Sequence, residues 1–259
     1  MPELPEVETV VRSLAPHLPG RRILSATFSS KFVTPGNRKT LAAKFAGRTI
    51  RSIKRRGKFI VMQLDQGTLT VHLGMTGRLL LDAPAGPHTH GSFALDQGTL
   101  IYTDPRQFGR IMWNADLSHL GPEALEMTFE DFAARLKKRK TRMKALLLNQ
   151  GFIAGLGNIY VDETLFAAGV HPLALSARLK PPKTLAVYES MRRILSMAIE
   201  KGGSSISDYV NAHGEKGWFQ LEHQAYGREG EPCSICGTPI KRILVTQRGT
   251  HFCPLCQKR

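Results

Sequence analysis

The chain has 259 residues, with 36 lysines and arginines against 21 aspartates and glutamates, and a formal net charge of +15. This length suits one large domain or two to three smaller ones. No apolar run approaches the roughly 18 residues of a membrane span, and no charged-then-apolar leader is present, so we expect a cytoplasmic protein. The charge excess favours a polyanionic partner such as nucleic acid. An anionic membrane surface is the competing partner, but the longest basic run covers only residues 137–140.

The first residues combine prolines with carboxylates. If Met1 is removed, Pro2 carries a free secondary amine, and an α-amino group with a pKa of about 7.7–8.0 is partly unprotonated at neutral pH. Such an amine is a nucleophile toward carbonyl carbon, and Glu3 beside it is placed to transfer protons. On these residues alone, a chain end that merely starts a helix is the more common interpretation.

The hydrophobic pattern predicts three successive kinds of structure. A helix is predicted over residues 5–14, because Val7, Val10, Val11 and Leu14 form one apolar stripe. Short strands separated by tight glycine turns follow, which is typical of a sandwich or flattened barrel. They are predicted at 22–28, 49–55, 58–64, 68–73, 78–81, 92–95, 99–102 and 108–113. After Gly121-Pro122, helices are predicted at 129–138, 142–149, 158–167 and 183–201. Residues 203–231 form a predicted loop that is too long for an idle connection, so we expect it to be functional or mobile.

All four cysteines lie near the end of the chain. Cys233-x2-Cys236 and Cys253-x2-Cys256 have the spacing of a zinc ribbon, and four thiolates predict one structural zinc ion. Two separate redox CxxC motifs are the alternative. Between the pairs, residues 241–247 and 251–253 predict a hairpin with Arg248-Gly249-Thr250 at its tip. An arginine there is well placed to bind phosphate, although a solvated turn arginine is equally compatible with the pattern.

Several motifs occur together in a distinctive order. They are Pro2-Glu3-Leu4-Pro5-Glu6-Val7-Glu8, Gly155-Leu156-Gly157-Asn158-Ile159-Tyr160 with Asp162-Glu163, Tyr226-Gly227-Arg228, Gln247-Arg248-Gly249-Thr250 and the four cysteines. In this order they resemble bacterial formamidopyrimidine-DNA glycosylase, the 8-oxoguanine base-excision repair enzyme. His251-Phe252 departs slightly from that family, in which an aromatic pair is common here. The resemblance implies an α+β multidomain protein. Its parts would be an N-terminal β-sandwich domain with a helix (1–121), a helix-two-turn-helix domain with a lesion-covering loop (122–224) and a zinc finger (225–259).

The resemblance also implies a bifunctional DNA glycosylase and abasic-site lyase. Pro2 would attack C1′ of a flipped nucleotide and displace the base, and the iminium would drive β- and then δ-elimination. Glu3 would be the acid/base at the sugar, and Glu6 would lie near the same sugar. Lys58 would contact phosphate and donate a proton in β-elimination. Arg248 would hold phosphate and assist δ-elimination.

Further residues match the DNA contacts of the family. Met75, Arg106 and Phe108 would fill the space left by the flipped base. Phosphate contacts would come from His72, His88, Arg139, Lys144 and Asn158, and Tyr226 would contact DNA. The expected partner is damaged double-stranded DNA bound by a monomer, without a membrane or an organic cofactor. In a bacterial cell, this DNA would associate the protein with the nucleoid.

Two alternatives stay open on the sequence. An endonuclease VIII-like enzyme for oxidised pyrimidines has related motifs, but Leu4 and the long loop before the cysteines favour the purine enzyme. A damaged-DNA-binding protein without catalysis is the second alternative. The set of Pro2, Glu3, Lys58 and Arg248 argues against it.

Overall fold

The chain folds into two compact units. The structure, a computed structural model, describes residues 1–206 and 208–258. The first unit comprises residues 1–117 and 199–220, and the second comprises residues 118–198 and the chain from 221 onward. The predicted domain boundaries at residues 121 and 224 stay a prediction. Within the described ranges, no helix has the length and apolar character needed to cross a lipid bilayer.

The first unit is a sandwich of two antiparallel sheets with two helices. Its elements are α1 (Leu4–Leu14), β1 (Ile23–Phe28), α2 (Arg38–Phe45), β2 (Ile50–Arg56), β3 (Phe59–Leu64), β4 (Thr68–His72), β5 (Arg78–Leu81), β6 (Thr89–Leu95), β7 (Thr99–Thr103) and β8 (Arg110–Trp113). One sheet has the strand order β1-β6-β7-β5, and the other has the order β2-β3-β4-β8. The predicted N-terminal sandwich is therefore confirmed.

One hydrophobic core joins both sheets and α1. The valine stripe of α1 is buried in it, as are Phe93 and Tyr102 of the first sheet and Ile60 of the second. Burying a side chain of this size contributes about 1.5–3 kcal/mol. Because α1 is buried along this stripe, the residues just before it are held in place on the sandwich.

Some element boundaries differ from the sequence prediction. Helix α2 was not predicted, since it has no apolar stripe and buries only Phe45. It starts at Asn37, whose side chain accepts the N–H of Thr40 at 3.1 Å, an N-cap that the sequence did contain. Strand β6 begins at Thr89 rather than Ser92 because Thr89 pairs with Thr103. Phe108, predicted to start a strand, lies before β8.

The second unit contains four helices and a hairpin among its described residues. These are α3 (Phe129–Lys137), α4 (Met143–Leu148), α5 (Asn158–Ala167), α6 (Pro181–Glu200, of which the last two residues belong to the first unit), β9 (Lys241–Val245) and β10 (Arg248–Phe252). A short 3-10 turn covers Ser176–Arg178, and another covers Phe219–Glu222, whose first two residues belong to the first unit. The predicted succession of helices and a terminal hairpin is confirmed.

The tip of the hairpin is not where the sequence predicted it. Val245 pairs with Arg248, so the turn consists of Thr246 and Gln247. Both have positive φ, 50° and 60°, which is the conformation of a type I′ turn. This turn matches the twist of two antiparallel strands, whereas a three-residue tip at 248–250 does not occur. Arg248 is thus the first residue of β10.

Candidate active site and nucleic-acid interface

The start of the chain is held by a buried carboxylate. Pro2 is buried, whereas Met1 before it is 42% exposed. Glu3 caps α1, and its N–H donates to Glu6 Oε2 at 2.8 Å. The other oxygen, Glu6 Oε1, accepts the N–H of Ser204 at 2.7 Å. Glu6 is only 2% exposed, so a buried side chain holds the backbone at the start of the chain.

The first residues of the long loop also contact the Glu6 carboxylate. Gly203 has φ +82°, and a Cβ there would come within 2.9 Å of Glu6 Oε1. The Tyr209 hydroxyl donates to the backbone oxygen of Glu6 at 3.2 Å. Burial, and then the Glu6 charge, raise the pKa of Tyr209, so it stays a hydrogen-bond donor. Sequence reasoning missed Ser204 and Tyr209, since it predicted residues 203–231 only as a loop.

Lys58 lies on a turn that is tied to α1. It follows β2, and its side chain is buried. Arg55 Nε donates to Glu8 Oε2 of α1 at 2.9 Å, and Arg55 Nη1 donates to the oxygen of Gly57 at 3.2 Å. The Arg55 side chain therefore links the first turns of α1 to the turn that precedes Lys58. The structure brings Pro2, Glu3 and Lys58 onto adjoining elements of the first unit.

His72 is a neutral imidazole beside this lysine. Burial, followed by the charges of Lys58 and Arg110, lowers the pKa of His72 to about 4. Its Nδ1 accepts the N–H of Gly74 at 3.2 Å. A neutral ring that accepts at Nδ1 carries its proton on Nε2. His72 therefore has one neutral N–H donor at Nε2. His88 is exposed just before β6.

Met75, Arg106 and Phe108 project from two neighbouring turns. Met75 is 40% exposed and Phe108 is 51% exposed, so neither side chain belongs to the hydrophobic core. Arg106 is also exposed, and its guanidinium lies 4.7 Å from the centre of the Phe108 ring. A Cβ on Gly74 would come within 2.5 Å of the N–H of Gly109, so the two turns are in direct contact. The three side chains thus form one exposed group, here called the wedge.

A single carboxylate organises the wedge. Asp104 is fully buried, and its Oδ1 accepts the Thr76 hydroxyl at 2.5 Å and the N–H of Arg106 at 3.2 Å. Its Oδ2 accepts the N–H of Gly109 at 2.8 Å and the Tyr102 hydroxyl at 3.2 Å. Sequence reasoning missed this role. The available signal was the dipeptide Asp104-Pro105 directly after a strand, because aspartate and proline both favour turns.

The second unit holds the other predicted phosphate contacts, and one of them needs correction. Lys144 is fully buried, and its Nζ donates to Asp162 Oδ1 at 2.6 Å and to the oxygen of Asn158 at 3.2 Å. An enclosed ammonium that neutralises a buried carboxylate is not available to phosphate, so we interpret Lys144 as structural. Arg139 is exposed just after α3. Asn158 begins α5, where unpaired N–H groups favour an anion.

Arg248 and Tyr226 lie close to residues that α5 anchors. Arg248 is exposed at the start of β10. Glu163 of α5 accepts the N–H groups of Gln224, Ala225 and Tyr226, each at 2.8–2.9 Å. Burial raises the pKa of Glu163, and these three bonds oppose the rise. The Tyr226 ring packs edge-on to His251, with ring centres 5.2 Å apart.

The four cysteines converge on one point. Their sulfurs all lie within 4.8 Å of one another, with Cys233 Sγ to Cys256 Sγ at 3.9 Å and Cys236 Sγ to Cys253 Sγ at 3.5 Å. A tetrahedron with zinc–sulfur bonds of about 2.3 Å has edges of about 3.8 Å, so the four residues fit a zinc ion. The separations are too long for disulfides, and the thiols are free. Four protein ligands complete the zinc coordination, which is the arrangement of a structural site.

Comparison with known proteins agrees with this arrangement. Family models match residues 1–111 as a formamidopyrimidine-DNA glycosylase N-terminal domain, 120–210 as its H2TH domain, and 230–259 as a zinc finger found in FPG and IleRS. A formamidopyrimidine-DNA glycosylase of Solibacter usitatus is 56% identical, and one of Geobacillus kaustophilus is 42% identical, each over the whole of both chains.

Solved structures give the same result. Lactococcus lactis Fpg bound to DNA containing N7-benzyl-Fapy-dG has a TM-score of 0.90 at 38% identity, with complete coverage of both chains. A complex of Lactococcus lactis Fpg with DNA containing an abasic site also has a TM-score of 0.90, over 99% of this chain and all of that one. The chain belongs to the formamidopyrimidine-DNA glycosylase family.

Proposed function

We propose that this base-excision repair glycosylase for oxidised purines works through a covalent Schiff base on Pro2, formed once Met1 has been removed. The observation that carries the proposal is the buried Pro2 joined to Glu3, whose N–H is bound by Glu6 at the start of α1. Chain ends are usually mobile. A terminal amine held this firmly is suited to act as a catalytic group, because its approach to the sugar is set in advance.

The first step exchanges one bond at C1′ for another. The Pro2 nitrogen attacks C1′ of a flipped 8-oxoguanine or formamidopyrimidine nucleotide, and the glycosidic bond breaks with its electron pair leaving on the base. Glu3 protonates the ring oxygen as the sugar opens, which gives an iminium between Pro2 and C1′. Because proline is a secondary amine, the iminium carries a fixed positive charge.

This charge drives the lyase steps. The iminium acidifies C2′, which loses a proton, and the C3′–O bond breaks so that the 3′ phosphate leaves. Lys58 donates a proton in this β-elimination. A second proton loss and cleavage of the C5′–O bond form the δ-elimination, which Arg248 assists by holding the phosphate. Hydrolysis of the Schiff base frees Pro2, and a one-nucleotide gap remains.

The surrounding residues hold distorted duplex DNA. The wedge fills the space of the flipped nucleotide, with its apolar side chains against the neighbouring bases. His72, His88, Arg139 and Asn158 contact phosphates, and Tyr226 contacts DNA. Lys144 is left out of this set because it is buried. The net charge of +15 supports binding to the DNA backbone by counterion release. When bound, zinc supplies folding energy to the hairpin that carries Arg248.

Borohydride trapping tests the proposal directly. Reduction of the iminium should give a covalent protein–DNA adduct with a duplex carrying 8-oxoguanine or an abasic site, and peptide mapping should place it on Pro2. Pro2→Gly, which keeps a primary amine, should react far more slowly. A preparation shown by mass spectrometry to retain Met1 is the matched control, because its Pro2 nitrogen is an amide. Trapping by that preparation, or trapping at another residue, would show that Pro2 is not the nucleophile.

Two further measurements define the substrate and the working form. Cleavage of 8-oxoguanine and thymine glycol duplexes, side by side, should favour 8-oxoguanine, whereas the reverse order would indicate the endonuclease VIII-like enzyme. We also propose that one copy acts alone on damaged double-stranded DNA in the cytoplasm, at the nucleoid. Light scattering of the trapped complex should give the mass of one chain and one duplex.

A further inference from the structure

Strand β10 has one edge that does not face its partner strand. It pairs with β9 from Arg248↔Val245 to Phe252↔Lys241. In an antiparallel pair, alternate residues direct their backbone groups away from the partner. Gly249 and His251 are two residues apart, so their outward groups lie on the same edge. An unpaired edge of this kind requires other hydrogen-bond partners.

Two side chains of α5 supply those partners. Asn158 Nδ2 donates to the oxygen of Gly249 at 2.9 Å, and Asp162 Oδ2 accepts the N–H of His251 at 2.9 Å. Four residues of helix rise about 6 Å, and two residues of strand span about 6.6 Å. The i, i+4 spacing on the helix therefore matches the i, i+2 spacing on the strand. We call this pair of side chains the α5 clamp.

The clamp is built at a cost, which indicates that its geometry matters. Asn158 Oδ1 is buried and has no hydrogen-bond partner within the described residues. A rotated amide would turn Oδ1 toward the oxygen of Gly249 and lose the hydrogen bond that Nδ2 donates. Asp162 is fully buried, its charge is compensated by Lys144 at 2.6 Å, and its Oδ2 lies 3.2 Å from His251 Nδ1. Its acceptor oxygen is therefore fixed in one position.

The hairpin needs such an anchor near its tip. Thr246 and Gln247 both hold positive φ, which is costly for residues other than glycine and asparagine. Arg248 follows this strained turn directly and precedes Gly249, the first residue that the clamp holds. The clamp therefore holds the backbone directly after Arg248, and the strained turn lies directly before it.

We propose that Asn158 and Asp162 are positioning residues for Arg248, setting the placement of β10 that δ-elimination requires. The inference rests on the proposed role of Arg248. Asn158 has a second hydrogen on Nδ2, so a DNA phosphate at the start of α5 would share this amide with Gly249. Phosphate binding and the placement of Arg248 would then be linked through one side chain.

A matched pair of double variants tests the clamp without leaving a buried charge. Lys144→Met with Asp162→Asn keeps an oxygen for the N–H of His251, whereas Lys144→Met with Asp162→Ala removes it. On an abasic duplex, the first variant should give a δ-to-β product ratio within about twofold of the wild type. The second should lower the ratio about five- to tenfold, the size of one lost hydrogen bond. Zinc content and melting temperature are measured for both.

The outcomes separate the clamp from the role of Arg248. Arg248→Ala in the same assay sets the lower limit of the ratio. If it lowers the ratio while both double variants match the wild type, the clamp is not a positioning device. If Arg248→Ala leaves the ratio unchanged, the role of Arg248 fails instead. Hydrogen exchange of residues 248–252 then decides, since only the Asp162→Ala double variant should exchange faster. Equal exchange in both double variants would overturn the clamp.

Discussion

The two units place their functional residues by different physical means. In the first unit, one large apolar core joins two four-stranded sheets and α1, and the functional residues sit on turns and ends of these elements. Among the described residues of the second unit, one small apolar cluster at the hairpin consists of Phe166, Ala225, Cys233, Ile240 and Cys253, with Cys256 packed against it. Buried carboxylates of α5 and the cysteine site also hold the hairpin.

This difference predicts different vulnerabilities. A large core spreads its stabilisation over many contacts, so single polar changes at its surface have small effects. A small zinc-binding subdomain depends on a few strong interactions, and each is costly to lose. Variants that remove one such interaction should therefore affect the second unit more severely than the first.

Loss of a zinc ligand should have the largest effect. Cys253 is fully buried, and Cys253→Ser leaves three thiolates for the metal. Because metal binding supplies roughly 10 kcal/mol or more of folding energy in small zinc domains, we expect the hairpin to unfold. Atomic absorption should show less than one zinc per chain, and DNA affinity should fall at least about tenfold with the loss of Arg248 from its place.

Chelation provides the control for this prediction. Removing zinc from the wild-type chain should reproduce the Cys253→Ser phenotype, and adding zinc back should restore DNA binding to the wild type alone. The sandwich unit should keep its circular dichroism signal throughout. A zinc-free chain that bound DNA with unchanged affinity and salt dependence would show that the hairpin is not a DNA contact.

Breaking the buried ion pair should have the next largest effect. Lys144→Met leaves Asp162 without its cation in a fully enclosed site, and removal of one partner of a buried pair costs about 3–5 kcal/mol. Urea unfolding should show this loss. Lys144→Met with Asp162→Asn removes both charges and should recover most of the stability. If the single variant were as stable as the double variant, Lys144 would not be needed to compensate the buried charge of Asp162.

Replacing Asp104, the buried carboxylate of the first unit, should reduce the free energy of unfolding by a smaller amount. Asp104→Asn replaces one acceptor oxygen by an NH2 group, which faces donors it cannot bind. Unsatisfied buried donors cost about 1–3 kcal/mol, and the large core should keep the unit folded. The rate of 8-oxoguanine excision should fall by a larger factor than partial unfolding alone would cause, because the wedge loses its support. The matched control is Asp96→Asn. Asp96 is exposed and its Oδ1 accepts the N–H of Gln97, so this change should alter stability by less than about 0.5 kcal/mol.

Periodic patterns made much of this fold predictable from sequence. The valine stripe of α1, the glycine turns and the cysteine spacing each depend on local rules, and each is confirmed. Helix α2 escaped prediction because its one buried side chain gives no periodicity. The hairpin tip was misplaced because Gly249 looked like a turn residue, whereas the turn is made by Thr246 and Gln247.

Side-chain roles were harder to predict, because they depend on contacts distant in sequence. Lys144 was predicted as a phosphate contact from the family resemblance, and nothing local indicated that Asp162 would pair with it in a buried site. Ser204 reaches Glu6 across 198 positions, and no motif reports such a contact. The assignments of Pro2, Glu3, Lys58 and Arg248 came from the family resemblance, and their roles stay a prediction.

The last comparison concerns a partly buried histidine in each unit, whose effect on stability emerges only below neutral pH. His72 and His223 both have a pKa near 4, but burial and the charges of Lys58 and Arg110 act on His72, whereas burial is the main cause for His223. Between pH 4 and 6.5 the unfolded chain binds a proton that the folded one does not. Stability therefore falls as pH drops through this range, by up to about 1.4 kcal/mol per pH unit for each ring. His72→Gln and His223→Gln should each reduce the loss measured from pH 7 to pH 5.

Replacing the neighbouring cation distinguishes the two histidines. Lys58→Gln removes one charge that opposes protonation of His72, so the pKa of His72 should rise toward 6.5 while that of His223 stays unchanged. Ring-proton titration by NMR measures both values in one sample. Equal shifts would mean that the variant alters the whole fold, and no shift at His72 would mean that the Lys58 ammonium does not act on it. A selective rise would show that Lys58 and His72 share one local electrostatic environment in the sandwich unit. A phosphate bound there would meet a full cation and a neutral donor side by side.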